Sequence, residues 1–224
     1  MKKTLYDYKR LIIFDLETTG LNYNNEEIID FGAIEVRLNP QGFQVTNDFN
    51  LLIKASKALS TKITELTNIT DEMLITSGIK SEDLPPIIKQ LFDKDTLVVA
   101  YNIQFDLSFI IATMKRVDPN FEFTSDILDL MAVYKDRHDY PHRLENAAKT
   151  YNIVNVNAHR AYDDAVATFE LLKQLEKEAP LSDYINCIGY HEKYGLQGVR
   201  LPYVNYFVHP YKKGSLKVQI DNLK

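Results

Sequence analysis

Leu11-Ile12-Ile13-Phe14-Asp15-Leu16-Glu17-Thr18-Thr19-Gly20 is the stretch on which the fold turns. Four apolar residues followed by a polar run that stops at a glycine predict a buried strand with acids at its carboxyl end. Asp15 and Glu17 are two apart, so strand periodicity places both side chains on one face, at the sheet's carboxyl edge. Open α/β sheets bind ligands at that edge. Two like charges so close repel each other, and burial raises their cost unless a cation sits between them. The plain alternative is a solvated strand end leading into a turn.

Working outward, Ile28–Leu38 and Phe43–Ile53 are rich in aliphatic and aromatic residues and flank Pro40-Gln41-Gly42, which predicts two strands joined as a hairpin or meander. Helices are expected near Thr61–Leu74 and across Pro85–Phe92, where a proline suits the first turn. Leu97–Ala100 reads as a fourth buried strand, and Gln104–Lys115 follows with helical apolar spacing. A short strand is expected at Phe121–Asp126, then helices at Ile127–Tyr134, Arg143–Tyr151 and Ala161–Lys177, the last closed by Pro180. Three strands in succession, then helices interleaved with further strands, indicate an α/β domain built on a mixed sheet.

Three more residues join the first two acids. Asp106 falls just past the fourth strand, where strand-then-helix geometry returns it to the same sheet edge; a helix N-terminal acid stabilised by the dipole is the simpler reading of it alone. Asp164 lies in the first turns of the last long helix, where Ala161 and Ala165 let that helix approach the sheet. His159 precedes it in a loop. A lone histidine there is usually surface, but beside metal-bound carboxylates an imidazole suits proton uptake from water near neutral pH.

Composition sets the bounds. The 224 residues carry a formal charge of −5, with 45% hydrophobic and 25% charged residues. That is a water-soluble globular chain with a full core, not a disordered one. Its apolar runs are strand-length, far short of the roughly 20 residues that span a bilayer. The opening MKKTLYDYKR has no apolar stretch behind its lysines, so no secretion signal is expected. A single cysteine, Cys187, excludes an internal disulfide and a cysteine metal site, and points to the reducing cytoplasm. Mild acidity argues against gripping nucleic acid by bulk positive charge, though not against local charge or bound cations. After Pro180 the character changes: residues 181–224 hold 6 Lys and Arg against 3 acids, with four of the 8 glycines and seven of the 25 Tyr and Phe. The expected organisation is a domain over residues 1–180 and a C-terminal extension over 181–224, irregular or β-rich, whose tyrosines pack on the domain while its lysines stay solvated, with an extended strand-binding surface or a partner-protein contact as the alternative.

FDLETTG at 14–20, AYNIQFD at 100–106 and AHRAYDDA at 158–165 resemble, in order, the three motifs of the DnaQ-like, or DEDDh, 3′–5′ exonucleases, a family that includes the proofreading subunits and domains of bacterial replicative polymerases. Asp126-Ile127-Leu128-Asp129-Leu130 and the stretch from Leu144 to Ile153 also resemble family segments, so the likeness spans about residues 10–178. Many relatives begin the second motif Ala-His-Asn where this chain has Ala100-Tyr101-Asn102. That position is not one of the four acids, so activity is expected to survive.

The resemblance implies an RNase H-like fold, a mixed and mostly five-stranded sheet flanked by helices. It implies Asp15, Glu17, Asp106 and Asp164 as ligands of two Mg²⁺ or Mn²⁺ ions and His159 as general base, in hydrolysis of phosphodiester bonds from the 3′ end of single-stranded DNA with release of nucleoside 5′-monophosphates. Oxygen-only donors suit such hard cations. By analogy Leu16, Thr18, Tyr101, Asn102 and Phe105 contact the terminal nucleotides, with core packing the simpler role for Phe105 and Leu16. RNA trimming, oligoribonucleotide degradation, and a catalytically weak binding module of a polymerase or repair complex stand as alternatives. With no polymerase-sized region attached, any such partnership is expected in trans, with no membrane involved.

Overall fold

A computed structural model describes residues 3–209 and 212–223; Met1, Lys2, Pro210, Tyr211 and Lys224, and with them one tail tyrosine and one tail lysine of the sequence reading, lie outside the described residues. The central strand β1 (Arg10–Thr18) pairs antiparallel with β2 (Ile28–Asn39), which pairs antiparallel with β3 (Gly42–Leu52). On its other side β1 runs parallel to β4 (Thr96–Ala100), and β4 to β5 (Asp126–Asp129). The result is a five-stranded mixed sheet in the order β3-β2-β1-β4-β5.

Alternation along β1 divides the core. Leu11 and Ile13 face one side, with Val36, Leu97 and Leu128. Helices α5 (Leu130–Arg137), α6 (Leu144–Thr150) and α7 (Ala161–Glu178) cover that side. Ile12, Phe14 and Leu16 face the other, under α3 (Leu84–Leu91) and α4 (Ile103–Val117). Asp15 and Glu17 therefore continue the row of Leu11 and Ile13, on the side of α7.

Three local expectations are corrected. The helix expected over Thr61–Leu74 is two short ones, α1 (Thr61–Thr67) and α2 (Asp71–Ser77). Asn68 takes a left-handed conformation that ends the first, and the Thr70 side chain caps the second by accepting from Met73 N–H. The strand expected at Phe121–Asp126 begins only at Asp126, and the helix expected from Ile127 begins at Leu130. Pairing with β4 claims Asp126–Asp129, and the Asp129 carboxylate then caps α5 by accepting from Met131 N–H. The preceding residues are drawn out of the sheet, where the carbonyls of Phe123 and Ser125 accept from the Tyr203 hydroxyl.

Beyond residue 180 the chain forms two short parallel strands, β6 (Cys187–Tyr190) and β7 (Asn205–Val208), and a helix the sequence reading did not foresee, α8 (Ser215–Asp221). Asn186 fastens this segment to the sheet edge: its N–H donates to Ile127 O, its side-chain oxygen accepts from Ile127 N–H, and its amide nitrogen donates to Asp126. Leu181, Tyr184, Cys187, Phe207, Leu216 and Ile220 join one side of the core, and Ile188, Leu201 and Val204 the other. The Asp136 carboxylate gathers the junction, accepting from the Tyr184 hydroxyl and from the N–H groups of Leu216 and Lys217.

The leucine, isoleucine, valine and phenylalanine side chains among these contribute about 1.5–3 kcal/mol each when fully buried, and removing them uncovers apolar surface on both faces of the sheet. Deleting residues 181–224 is expected to abolish the cooperative thermal transition seen by circular dichroism. A truncated chain that melts sharply near the full-length midpoint would show the segment to be dispensable.

Candidate active site

The carboxyl end of β1 is shaped from β2 and α7. Asp15 lies opposite Gly32 and Glu17 opposite Asp30, with a bulge directly after, since Thr18 pairs with Ile28. A Cβ on Gly32 would fall 2.2 Å from the backbone of Ala161 and Tyr162, so only glycine lets the start of α7 lie on β2. Asp30, fully buried, holds that start: its Oδ2 accepts from Arg160 Nε at 2.8 Å and from Ala161 N–H at 3.3 Å. One turn further along α7, Asp164 is brought over the two strand acids.

Asp164 shapes the preceding loop. Its Oδ1 accepts from the Asn155 amide and its Oδ2 from the His159 N–H at 3.2 Å. His159 adopts a left-handed φ of 66°, with an exposed side chain. One ligand atom from each of Glu17, His159 and Asp164 lies within 4.8 Å of the others. Asp106 enters from the opposite side of the sheet, in the first turn of α4 and 3% exposed. Sequence reasoning missed four residues that position this set: Asp30 and Arg160, Asn155, and Asp129, whose Oδ1 accepts from Asn102 N–H at 3.1 Å. Only the last left a signal, inside the segment beginning at Asp126.

The nucleotide-contact candidates divide. Leu16 is buried in the core, and Tyr101 is buried with its hydroxyl donating to His142 O at 2.8 Å. Thr18 is buried and donates its hydroxyl to Gly20 O. Asn102, left-handed at φ 70°, is exposed, and Phe105 is half-buried; both line a cleft along the first turns of α4.

Burial raises every acid of the cluster, and repulsion within it adds to the rise at Asp15, Glu17 and Asp106. Asp15 is held well above the usual carboxylate range by burial and then by Asp106, Asp164 and Glu17. Glu17 is pushed up to about 8 by burial and then by Asp164 and Asp30, against the pull of Arg160. Burial raises Asp106 as well, opposed by its own backbone amide and that of Leu16, and raises Asp164, opposed by Asn155 and the His159 amide. Carboxylate oxygens gathered in this way fit a hard divalent cation.

A family model described as exonuclease matches residues 12–172. The chain is 34% identical over 169 residues to a PolC-type DNA polymerase III of Caldanaerobacter subterraneus, covering 74% of this chain and 12% of that protein. It is 33% identical over 168 residues to the 3′–5′ exonuclease DinG of Staphylococcus epidermidis, covering 74% of this chain and 18% of that one. The chain thus spans only a small part of the length of these curated relatives. Among solved structures, E. coli Exonuclease I in complex with a dT13 oligonucleotide superposes with a TM-score of 0.62 at 19% identity, over 75% of this chain and 41% of that one. Cell-death related nuclease 4 superposes with a TM-score of 0.63 at 17% identity, over 78% and 66%. The fold is the RNase H-like one.

Two outcomes test this geometry. Glu17 in the folded chain keeps a proton that the unfolded chain releases above its ordinary value of 4.5, so in EDTA stability is expected to fall as pH rises from there through about 8. Mg²⁺ or Mn²⁺ should raise the melting midpoint more at the alkaline end, and Glu17→Gln should flatten both trends. Equal midpoints for wild type and variant across that range would show the acid to be unstrained. Gly32→Ala is expected to cost about 1–3 kcal/mol by overpacking and to remove the ion-induced rise, as read by chemical denaturation with and without Mn²⁺.

Proposed function

The chain belongs to the exonuclease family, as a DnaQ-like 3′–5′ exonuclease, and from that premise we propose that it removes nucleoside 5′-monophosphates one at a time from the 3′ end of single-stranded DNA. The observation that carries the reading is the meeting of Asp15, Glu17, Asp106 and Asp164 at one sheet edge with His159 beside them. Those four carboxylates would hold two Mg²⁺ or Mn²⁺ ions, which when bound supply countercharge for the phosphate and acidify water. His159 takes the proton from the attacking water at a ring nitrogen, its loop fixed by the bond from its own N–H to Asp164. Attack on the terminal phosphorus breaks the bond to the 3′-oxygen of the preceding nucleotide, which leaves as a hydroxyl. Divalent ions held by these acids would supply positive charge at the scissile phosphate, so a chain of net charge −5 need not be basic to act on a polyanion.

Action beside a DNA polymerase or a repair complex, in the cytoplasm, belongs to the same proposal. Its support is the similarity to PolC-type polymerases and the single buried, reduced Cys187. Among the described residues no helix is long and apolar enough to cross a membrane.

A time course on 5′-labelled single-stranded DNA, duplex DNA and RNA, each with a free or blocked 3′ terminus, tests the reading. Stepwise shortening of free-ended single-stranded DNA is expected, stopped by EDTA and by Asp15→Ala. His159→Ala should slow it by about 10²–10⁴-fold, the usual contribution of a general base. Internal cuts, or preference for blocked ends, would overturn the assignment; faster turnover of RNA would move the substrate class.

A further inference from the structure

Along the first turns of α4, the helix that carries Asp106, a hollow of about 620 Å³ opens between the loop after β1 and the C-terminal segment. Tyr23 and Phe105 give it rings, Asn22, Asn102, Gln104 and Gln197 give it amides, and no lining residue carries a formal charge. A second hollow of about 390 Å³ adjoins it, shares Tyr23 and Asn24, and runs to Lys115 and Arg116 in the last turn of α4. From Phe105 to Arg116 the two follow about 16 Å of helix axis.

One short loop supplies the outer wall of both. Gln197 and Gly198 line the first hollow and Val199 the second. The loop is fastened to the helix that carries Asp106: Gln104 Nε2 donates to Val199 O at 2.5 Å, Val199 N–H donates to Ser108 Oγ at 3.0 Å, and that hydroxyl donates to Gln104 O at 2.7 Å. Gly198 sits at φ +85°, and a Cβ there would fall 2.3 Å from Ser108 Oγ. Glycine is needed for both the backbone conformation and the contact.

We propose that residues 195–200 guide the substrate strand, forming with α4 and Tyr23-Asn24 a groove for the nucleotides that lie 5′ of the scissile end of a single-stranded nucleic acid. The inference rests on the exonuclease reading of the acid cluster and deepens it. Three features fit a single strand as occupant. The groove's near end, at Asn102 and Phe105, lies within one turn of Asp106 on α4; that end offers rings on which any base can stack; and its far end offers the exposed Lys115 ammonium to a phosphate, beside Arg116, whose guanidinium also donates to the carbonyls of Tyr23, Asn24 and Glu26.

The test uses the full chain, a long oligothymidylate and a thymidine dinucleotide. Gly198→Ala should lower the ratio of kcat/KM on the oligomer to that on the dinucleotide by about tenfold, the scale of one lost base stack. Where that variant fails to melt cooperatively, Tyr23→Ala reads the same ratio. Lys115→Ala should reduce the slope of log binding constant for the oligomer against log salt by about 0.7, one single-strand phosphate contact, whereas Lys149→Ala, exposed on α6, changes neither quantity. An unchanged ratio and an unchanged salt slope in folded variants would overturn the groove. If wild type cleaves neither substrate, the exonuclease reading fails instead, and the Lys115 salt slope still decides whether the strand lies there.

Discussion

Like charge concentrated at the carboxyl end of β1 sets the terms for the rest of the structure. Asp15, Glu17, Asp106 and Asp164 are each held above their ordinary protonation range by burial, so bringing them together opposes folding whenever no cation is present. The opposing stabilisation comes from elsewhere. Both faces of the sheet are closed by apolar side chains, and α7 is pinned to β2 by the Arg160–Asp30 pair, with Gly32 leaving room for the helix backbone. Backbone and amide donors soften the repulsion locally, at Asp106 through Leu16 and at Asp164 through Asn155 and His159. The site is thus a strained feature carried by an unstrained frame, as expected where function and stability compete.

Most of that frame was legible because its signals are local. The run Leu11–Phe14 followed by Asp15-Leu16-Glu17 specifies both the strand and the face its acids take, since period two admits no other assignment. The spacing of Ala161 and Ala165 likewise anticipated a helix lying close on the sheet, and Gly32 is its counterpart. Where reading failed, long-range partners overruled local preference. Ile127–Asp129 has apolar spacing compatible with a helix, but the exposed edge of β4 takes it as a strand. Asn155 and Arg160 carry no sequence signature; their roles exist only once Asp164 on α7 and Asp30 on β2 are brought to them.

The C-terminal segment illustrates the same limit from the other side. Its charge and tyrosine content made it look added on, and some of its side chains behave so, with Tyr194 61% exposed. Its apolar residues nevertheless enter both faces of the core, and Asn186 and Tyr203 satisfy backbone groups around the start of β5 that no neighbouring strand covers. A sheet edge left with unpaired amides invites pairing with another chain. Asn186, in a left-handed conformation, supplies both a donor and an acceptor to Ile127 and so closes that edge within the molecule.

The distribution of cations along α4 follows from the same electrostatic constraint. An ammonium or guanidinium group lining that hollow could pair with the carboxylates and compete with divalent ions for their oxygens. The hollow nearest the site accordingly offers only rings, amides and a hydroxyl, while Lys115 and Arg116 stand about three turns further along the helix, beyond a Debye length of about 8 Å at physiological ionic strength. At that separation the screened attraction between lysine and carboxylate is small, so Lys115 and Arg116 do not compete for the oxygens of the acid cluster. On the proposed reading, a chain acidic as a whole would in this way present fixed cations to one end of a strand and bound divalent cations to the other.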